Sequence, residues 1–522
     1  MSRRDQASTR TPASLLPGLQ IDEGGDRPLN WQFYQEIKRL VLDGIIPAGA
    51  GMPSPRLLAS EYGCSRHTVA TAYDYLVAEG ILGASHGVGT FVADLPGIPP
   101  PGMDPPVMDA PGTSRISAVP PESGEGRAVP PPTASRFAAA LLRGGIDRDE
   151  EDPLQSFGLP DSESFPYETW SRLQARIWSR PKRGLLRSVS AQGYEGLRQA
   201  VCDLAHRTRG IRATPDQVMI TSGTTQSLDL LLRALLDPGD AVWVEDPGRP
   251  KAATLVEALG MRRVAVPVDR QGLQVDLAEA RAPAAKAVII TASHHYPTGA
   301  TLSLDRRLRL LAWARRTGGW IFEDDYDGEI IAGGQPILPI YSLGRNERVV
   351  YMGSFSKSIS PQLRLGYVIC HPALVQLLVR LRYYVDYFPS MSMQPVLAAF
   401  IAEGHLDAHI RRMRRAYRDR QAQFAAAIGQ EAGDVLAVDS AASALFMTLL
   451  LRRAGPPGRD RWLAQQARRI GIPAFALSPF YFEAPPQPGV IIGTGRLDLP
   501  AIPGMVRQLA EAARRPDDPG GG

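Results

Sequence analysis

One lysine stands out by its surroundings. In Tyr351-Met352-Gly353-Ser354-Phe355-Ser356-Lys357-Ser358-Ile359-Ser360-Pro361-Gln362-Leu363-Arg364-Leu365-Gly366, an apolar run delivers Lys357 between hydroxyls, with Arg364 seven residues on. An amine placed there can form a Schiff base with a carbonyl, and Ser354, Ser356 and Arg364 can neutralise a phosphate. A lone Ser-x-x-Lys is weak evidence, because most such lysines are solvated, so the weight falls on what accompanies it. Thr221-Ser222-Gly223-Thr224-Thr225-Gln226 follows a strand and opens a helix, and the free amides of Gly223, Thr224 and Thr225 can bind an anion. Ile321-Phe322-Glu323-Asp324-Asp325-Tyr326 ends another apolar run in acids. A carboxylate there can hold a pyridine nitrogen protonated, which makes the ring an electron sink. His295-Tyr296-Pro297-Thr298-Gly299 closes a third run. The plainer expectation for Glu323 and Asp325 is that they are solvated acids at a strand end.

These groups need a scaffold, and the periodicity supplies one. Apolar strand candidates fall at Gln217–Thr221, Ala241–Glu245, Ala287–Ala292, Trp320–Glu323, Val349–Met352 and Gly366–Cys370, with helical segments between them. That alternation predicts an α/β unit over 151–515, with a mainly parallel sheet covered on both faces. A smaller α/β subdomain is expected over about 400–515.

The N-terminal part reads differently. Residues 1–27 are polar and are expected to be disordered. A unit over 28–94 reads helix, turn, helix, turn, helix, hairpin. Its helices are expected at Leu29–Asp43, Pro55–Tyr62 and, after a Ser65 N-cap, Arg66–Glu79. Ile81-Leu82 and Thr90-Phe91-Val92 flank a glycine-rich turn and make a two-stranded wing. Ser65, Arg66, His67 and Thr68 sit at the start of the third helix, where free donors can meet phosphates or base edges. Between Asn30 and Val92 four Lys/Arg face five Asp/Glu, so phosphate affinity must come from a few placed groups and helix ends. Proline blocks such as Pro99-Pro100-Pro101 and Pro130-Pro131-Pro132 mark 95–150 as a semi-stiff linker.

Composition limits the classes that remain. A chain of 522 residues exceeds one core, net charge is +4, and the three cysteines are far apart. An odd, scattered set argues against a disulfide framework and fits a reducing cytoplasm. No apolar run is long enough to span a membrane, and no secretory signal opens the chain. His405 and His409 have helical spacing suited to a metal, but no third ligand accompanies them, so no metal is expected.

Two resemblances organise these observations. Met52-Pro53-Ser54-Pro55-Arg56-Leu57-Leu58-Ala59, Gly63-Cys64-Ser65-Arg66-His67-Thr68-Val69 and Gly87-Val88-Gly89-Thr90-Phe91-Val92 resemble a GntR-type winged helix-turn-helix. The resemblance implies double-stranded DNA as partner, contacts from Arg56, Ser65, Arg66, His67 and Thr68, and His86 and Gly87 at the wing tip. The segments around Lys357, Asp324 and Gly223 resemble, in this order, the fold-type I aminotransferases, as does Glu403–Arg415. Together the two parts look like the MocR/GabR transcriptional regulators. That resemblance implies pyridoxal phosphate as a Schiff base on Lys357, with Asp324 on the pyridinium and Tyr326 on the phenolic oxygen. It places the phosphate on Gly223, Thr224, Thr225, Ser354, Ser356 and Arg364, and implies a homodimer.

Three positions depart from the aminotransferase pattern. Arg249 stands where an aromatic normally stacks on the cofactor ring, and Tyr296 replaces an asparagine. Ile491 falls where an arginine usually clamps the substrate's α-carboxylate. Losing that clamp removes a charge-assisted contact of roughly 1.5–3 kcal/mol. The expectation is therefore a regulator that senses an amine through the Lys357 aldimine, with Arg249 and Tyr296 in the effector pocket. Taurine or an ω-amino acid held by Arg249 fits this chemistry, and turnover is not its purpose. The alternatives are a sensor of the cofactor itself, controlling vitamin B6 metabolism, and a working aminotransferase with a DNA tether.

Overall fold

Apolar spacing and short polar caps account for the first unit. The computed structural model describes residues 15–22, 27–85, 89–94, 134–143, 158–179, 190–330, 337–343, 348–440, 443–453 and 455–515, and the chain divides into units at 1–112 and 113–522. In the first unit α1 (Leu29–Leu42), α2 (Pro55–Glu61) and α3 (Arg66–Ala78) precede the hairpin of β1 (Leu82–Ser85) and β2 (Gly89–Val92). Ser54 and Ser65 cap α2 and α3, each accepting the amide three residues on, which satisfies a donor the helix leaves free. Phe33, Ile37 and Leu40 of α1 meet Leu58, Val69, Ala72 and Leu76 in one core. The expectation of disorder over 1–27 does not hold for residues 15–22. Leu16 and Leu19 are buried in this core, and the Leu15 amide donates to Glu61. Leu16 and Leu19, with Ile21 packed beside them, anchor this short apolar segment in the core.

In the second unit α4 (Arg136–Arg143), α5 (Tyr167–Ser179) and α6 (Glu195–Arg209) lead into an eight-stranded sheet. Its strands in chain order are β3 (Val218–Thr221), β4 (Ala241–Asp246), β5 (Arg262–Asp269), β6 (Gly272–Leu273), β7 (Ala287–Ile290), β8 (Trp320–Asp324), β9 (Val349–Ser354) and β10 (Gly366–Ile369). Their spatial order is β3-β10-β9-β8-β7-β4-β5-β6. The five from β9 to β5 run parallel, β10 runs against both its neighbours, and β6 turns back on β5. Alternate residues serve opposite faces: Val242, Val244, Ile289 and Phe322 join one core, and Trp243, Val288, Ile290 and Ile321 the other. Burial on both sides is what a parallel sheet requires. The β5 strand escaped the sequence reading because it opens on Arg262-Arg263 and contains Pro267.

Helices α7 (Thr224–Leu235), α8 (Pro250–Ala258), α9 (Val275–Arg281), α10 (Leu304–Thr317), α11 (Pro372–Val385) and α12 (Gln394–Ala402) accompany the sheet. The long α13 (His405–Ala427) then enters the small subdomain. There β11 (Leu436–Ser440), β12 (Phe446–Leu451), β13 (Ala474–Ala476) and β14 (Gly489–Gly493) form an antiparallel sheet ordered β11-β12-β14-β13, with α14 (Arg459–Arg469) and α15 (Ile502–Arg514). The linker assigned to 95–150 needs one correction. Residues 134–143 carry α4, which packs on α8, and the Arg233 guanidinium lies 5.5 Å from the Phe137 ring. The rest of that segment lies outside the described residues.

Candidate functional site

Because β3, β4, β7, β8 and β9 point the same way, their carboxyl ends share one edge of the sheet, the edge where open α/β sheets bind ligands. Lys357 lies in the turn after β9, and its Nζ donates to the Gly158 carbonyl at 2.8 Å. A Cβ at position 158 would crowd that amine, so a side chain there would displace the end of Lys357. Ser354 Oγ donates to Ser356 Oγ at 2.9 Å and accepts the Ser356 amide at 3.1 Å.

The anion cradle is built from backbone restraint. Gly223 caps α7 at φ +128°, a conformation L side chains rarely adopt. A Cβ on Gly223 would lie 3.8 and 3.9 Å from the Arg364 guanidinium nitrogens. Arg364 itself adopts φ +48° at the end of a short turn, an uncommon conformation for a residue with a side chain. The structure thus brings Gly223, the start of α7 and Arg364 together.

Asp324 ends β8 beside Met352 of β9. Its side chain is 7 % exposed, and it forms an ion pair with Arg249, which lies at the N-cap of α8. Asp324 Oδ1 and Tyr326 Oη are buried without a hydrogen-bond partner. Burial raises the Tyr326 phenol well above its ordinary range. Thr224, Thr225, Leu228, Arg249, Lys251, Ala252, Leu255 and Asp324 line a small cleft open to solvent. An amine for a carbonyl, amides and a guanidinium for a phosphate, an orphaned acid oxygen and an orphaned phenol fit pyridoxal phosphate by chemistry and number.

The neighbouring acids are not solvated. Asp325 forms a 2.7 Å ion pair with Arg209, with side chains 2 % and 1 % exposed, and accepts the Tyr351 hydroxyl at 2.6 Å. Glu323 accepts the Ile340 and Tyr341 amides at 2.8 and 3.0 Å, and burial pushes its carboxyl up to about 7. They are internal struts that hold the Asp324 segment from behind. The arginine-rich start of α13 divides as well: Arg411, Arg412 and Arg415 are exposed, while Arg414 donates to the Glu329 carbonyl at 2.7 Å.

Over the site, Tyr296 meets the rings of Tyr326, Phe446 and Phe480 at 5.6, 5.7 and 5.6 Å. Ile491, fully buried in β14, belongs to the same apolar cluster, whereas Arg496 is exposed. The Arg249 guanidinium lies 5.8 Å from the Tyr296 ring centre.

Three contributors escaped the sequence reading: Gly158, Lys251 and Asp246. The Asp246 carboxylate accepts the amides of Phe482, Glu483 and Ala484 at 2.9, 2.9 and 2.7 Å, and the Gly248 amide donates to Phe480 at 2.9 Å. This latch fastens a loop of the small subdomain to the β4–α8 turn that carries Arg249. Its only sequence signal was the Asp246-Pro247-Gly248 turn at a strand end. Hydrogen bonds to a charged group contribute about 1.5–3 kcal/mol each. Asp246→Ala is expected to speed amide exchange in the peptide spanning 480–485 by about tenfold or more. Unchanged exchange would show that other contacts hold the loop.

In the first unit, Arg56, Ser65, Arg66 and His67 are exposed and Thr68 is half-buried. Ser65 and Thr68 share a 2.8 Å hydroxyl contact at the start of α3. His86 and Gly87 lie outside the described residues.

Comparison with known proteins decides the family. Residues 30–92 match the family of bacterial regulatory proteins of the gntR type, and residues 161–501 match aminotransferase class I and II. The chain is 33 % identical over 495 residues to the probable rhizopine catabolism regulatory protein MocR of Rhizobium meliloti, covering 95 % of each. The chain belongs to the MocR/GabR-type transcriptional regulators. Another member, the HTH-type transcriptional regulator TauR of Rhodobacter capsulatus, is 34 % identical over 78 % of this chain and 80 % of its own. The second unit is similar to LysN, an α-aminoadipate aminotransferase of Thermus thermophilus solved with N-(5'-phosphopyridoxyl)-L-leucine. That match has 27 % identity and a TM-score of 0.61, and covers 73 % of this chain and 95 % of LysN. As a MocR/GabR-type regulator the chain binds DNA and uses pyridoxal phosphate. No described helix is long and apolar enough to cross a membrane.

Proposed function

We propose that this regulator controls genes of amine metabolism by sensing a small amine that lacks an α-carboxylate and carries a distal anion, as taurine and ω-amino acids do. The observation that carries the reading is the closed aromatic cluster around Ile491. Among the described residues it sets an uncharged Ile491 where an α-carboxylate clamp is expected, while Arg249 lies beside the cluster at Tyr296 and lines the cleft at Asp324.

In this reading Lys357 binds the cofactor covalently, Asp324 holds its ring nitrogen and Tyr326 its phenolic oxygen. Gly223, Thr224, Thr225, Ser354, Ser356 and Arg364 take the phosphate. When bound, the cofactor supplies an electrophilic carbon at which amines exchange. The chain's own residues do the rest. Arg249 selects the anion, Tyr296 and its neighbouring rings exclude water, and the Asp246 latch sets the position of the small subdomain. Arg56, Ser65, Arg66, His67 and Thr68 contact the operator in the cytoplasm, together with His86 and Gly87. A homodimer presents two such units to paired half-sites. The exposed Tyr383, Tyr384 and Tyr387, with Tyr384 87 % exposed, support a protein contact there. Coupling between effector and operator requires different effector affinities in two arrangements, typically about 1–3 kcal/mol.

Absorbance from 300 to 500 nm during titration tests the reading. Taurine or γ-aminobutyrate is expected to shift the bound-cofactor band at concentrations where common α-amino acids do not. Rapid turnover of α-amino acids with 2-oxo acids would instead assign a working aminotransferase.

A further inference from the structure

Arg249 does two things that do not fit together in a filled site. It occupies the position expected for a ring-stacking aromatic, and its guanidinium is paired to Asp324, the acid that the cofactor ring needs. A carboxylate as buried as Asp324 is costly without a cation or several donors. Arg249 provides that cation on Oδ2, while Oδ1 keeps no partner. The same guanidinium lines the cavity that runs from Thr224 and Thr225 to Asp324. A cofactor whose phosphate would rest on the α7 amides and whose ring nitrogen would meet Asp324 would need the space that this guanidinium occupies. Arg249 has somewhere to go. Its side chain is 27 % exposed, it sits at a helix start, and the guanidinium already lies 5.8 Å from the Tyr296 ring, on which it can remain when it leaves Asp324.

We infer that Arg249 is an exchangeable counter-ion: it neutralises Asp324 until the cofactor displaces it, and the released guanidinium then becomes the anion-binding group of the effector pocket. Cofactor and anionic effector therefore bind cooperatively, because whatever holds Arg249 away from Asp324 favours the ring, and the reverse follows by linkage. The first half rests on the cofactor alone. The second half rests on the proposed reading of the effector.

The test is the dissociation constant for pyridoxal phosphate, read by titration of cofactor-free full-length protein. Arg249→Gln removes the competitor and is expected to tighten binding by tenfold or more, while Arg249→Lys, which keeps a cation, stays near wild type. Equal or weaker binding by Arg249→Gln, with Arg249→Lys behaving normally, overturns the counter-ion role. Ethanesulfonate, an anion with no amine, then tests the second half. It is expected to tighten cofactor binding several-fold in the wild type and to have no effect in Arg249→Gln. No effect on the wild type, or weakening through competition at the phosphate cradle, overturns the anion site while leaving the first result standing.

Discussion

Replacing Arg209 by methionine is expected to destabilise the aminotransferase-like unit by about 3–5 kcal/mol, the typical cost of leaving one member of a buried ion pair alone. The pair is deeply enclosed, with the Arg209 side chain 1 % and the Asp325 side chain 2 % exposed. Arg209 also donates to Ser293 at 2.7 Å, so its loss strands an acceptor as well. Removing both charges in Arg209→Met with Asp325→Asn is expected to recover a substantial part of the loss, because the uncompensated carboxylate is then gone. Denaturant unfolding of the cofactor-free protein measures both variants. A double variant no more stable than the single one would locate the cost in lost packing of the arginine stem.

The other large effect is chemical. Lys357→Ala is expected to abolish covalent cofactor attachment and to weaken cofactor binding by about tenfold or more, a loss of at least ~1.4 kcal/mol. Borohydride reduction followed by peptide mapping reads this directly, since the chain has five lysines. The wild type is expected to gain one cofactor mass on the Lys357 peptide and the variant none. Modification at Lys251, which lines the same cavity, would move the attachment point and overturn the assignment.

Much of this architecture was legible because local signals and burial agree. The strand starts at Ala241, Ala287, Trp320, Val349 and Gly366 were readable as apolar runs, since strands buried on both faces carry few polar residues. Ser65 was readable as a cap because its short side chain does one job regardless of tertiary context. What was not legible depended on partners distant in sequence. Glu323 and Asp325 look like surface acids until Arg209, more than a hundred residues earlier, and the Ile340 amide are brought to them. Arg249 was readable as an oddity in a familiar place, but its pairing with Asp324 required the sheet. Leu16 and Leu19 were obscured by Pro17 and Gly18, which stand between them and break any regular period, and α4 by the prolines that precede it.

The Asp246 latch has a consequence for how such a protein can change over generations. Its three donors are main-chain amides, present in every residue except proline. The three hydrogen bonds therefore survive changes of side chain at positions 482, 483 and 484, of which Phe482 alone also packs on the sheet core, while the single acid opposite them cannot be replaced. New effector specificities can be explored at the mouth of the pocket while the hinge geometry stays put.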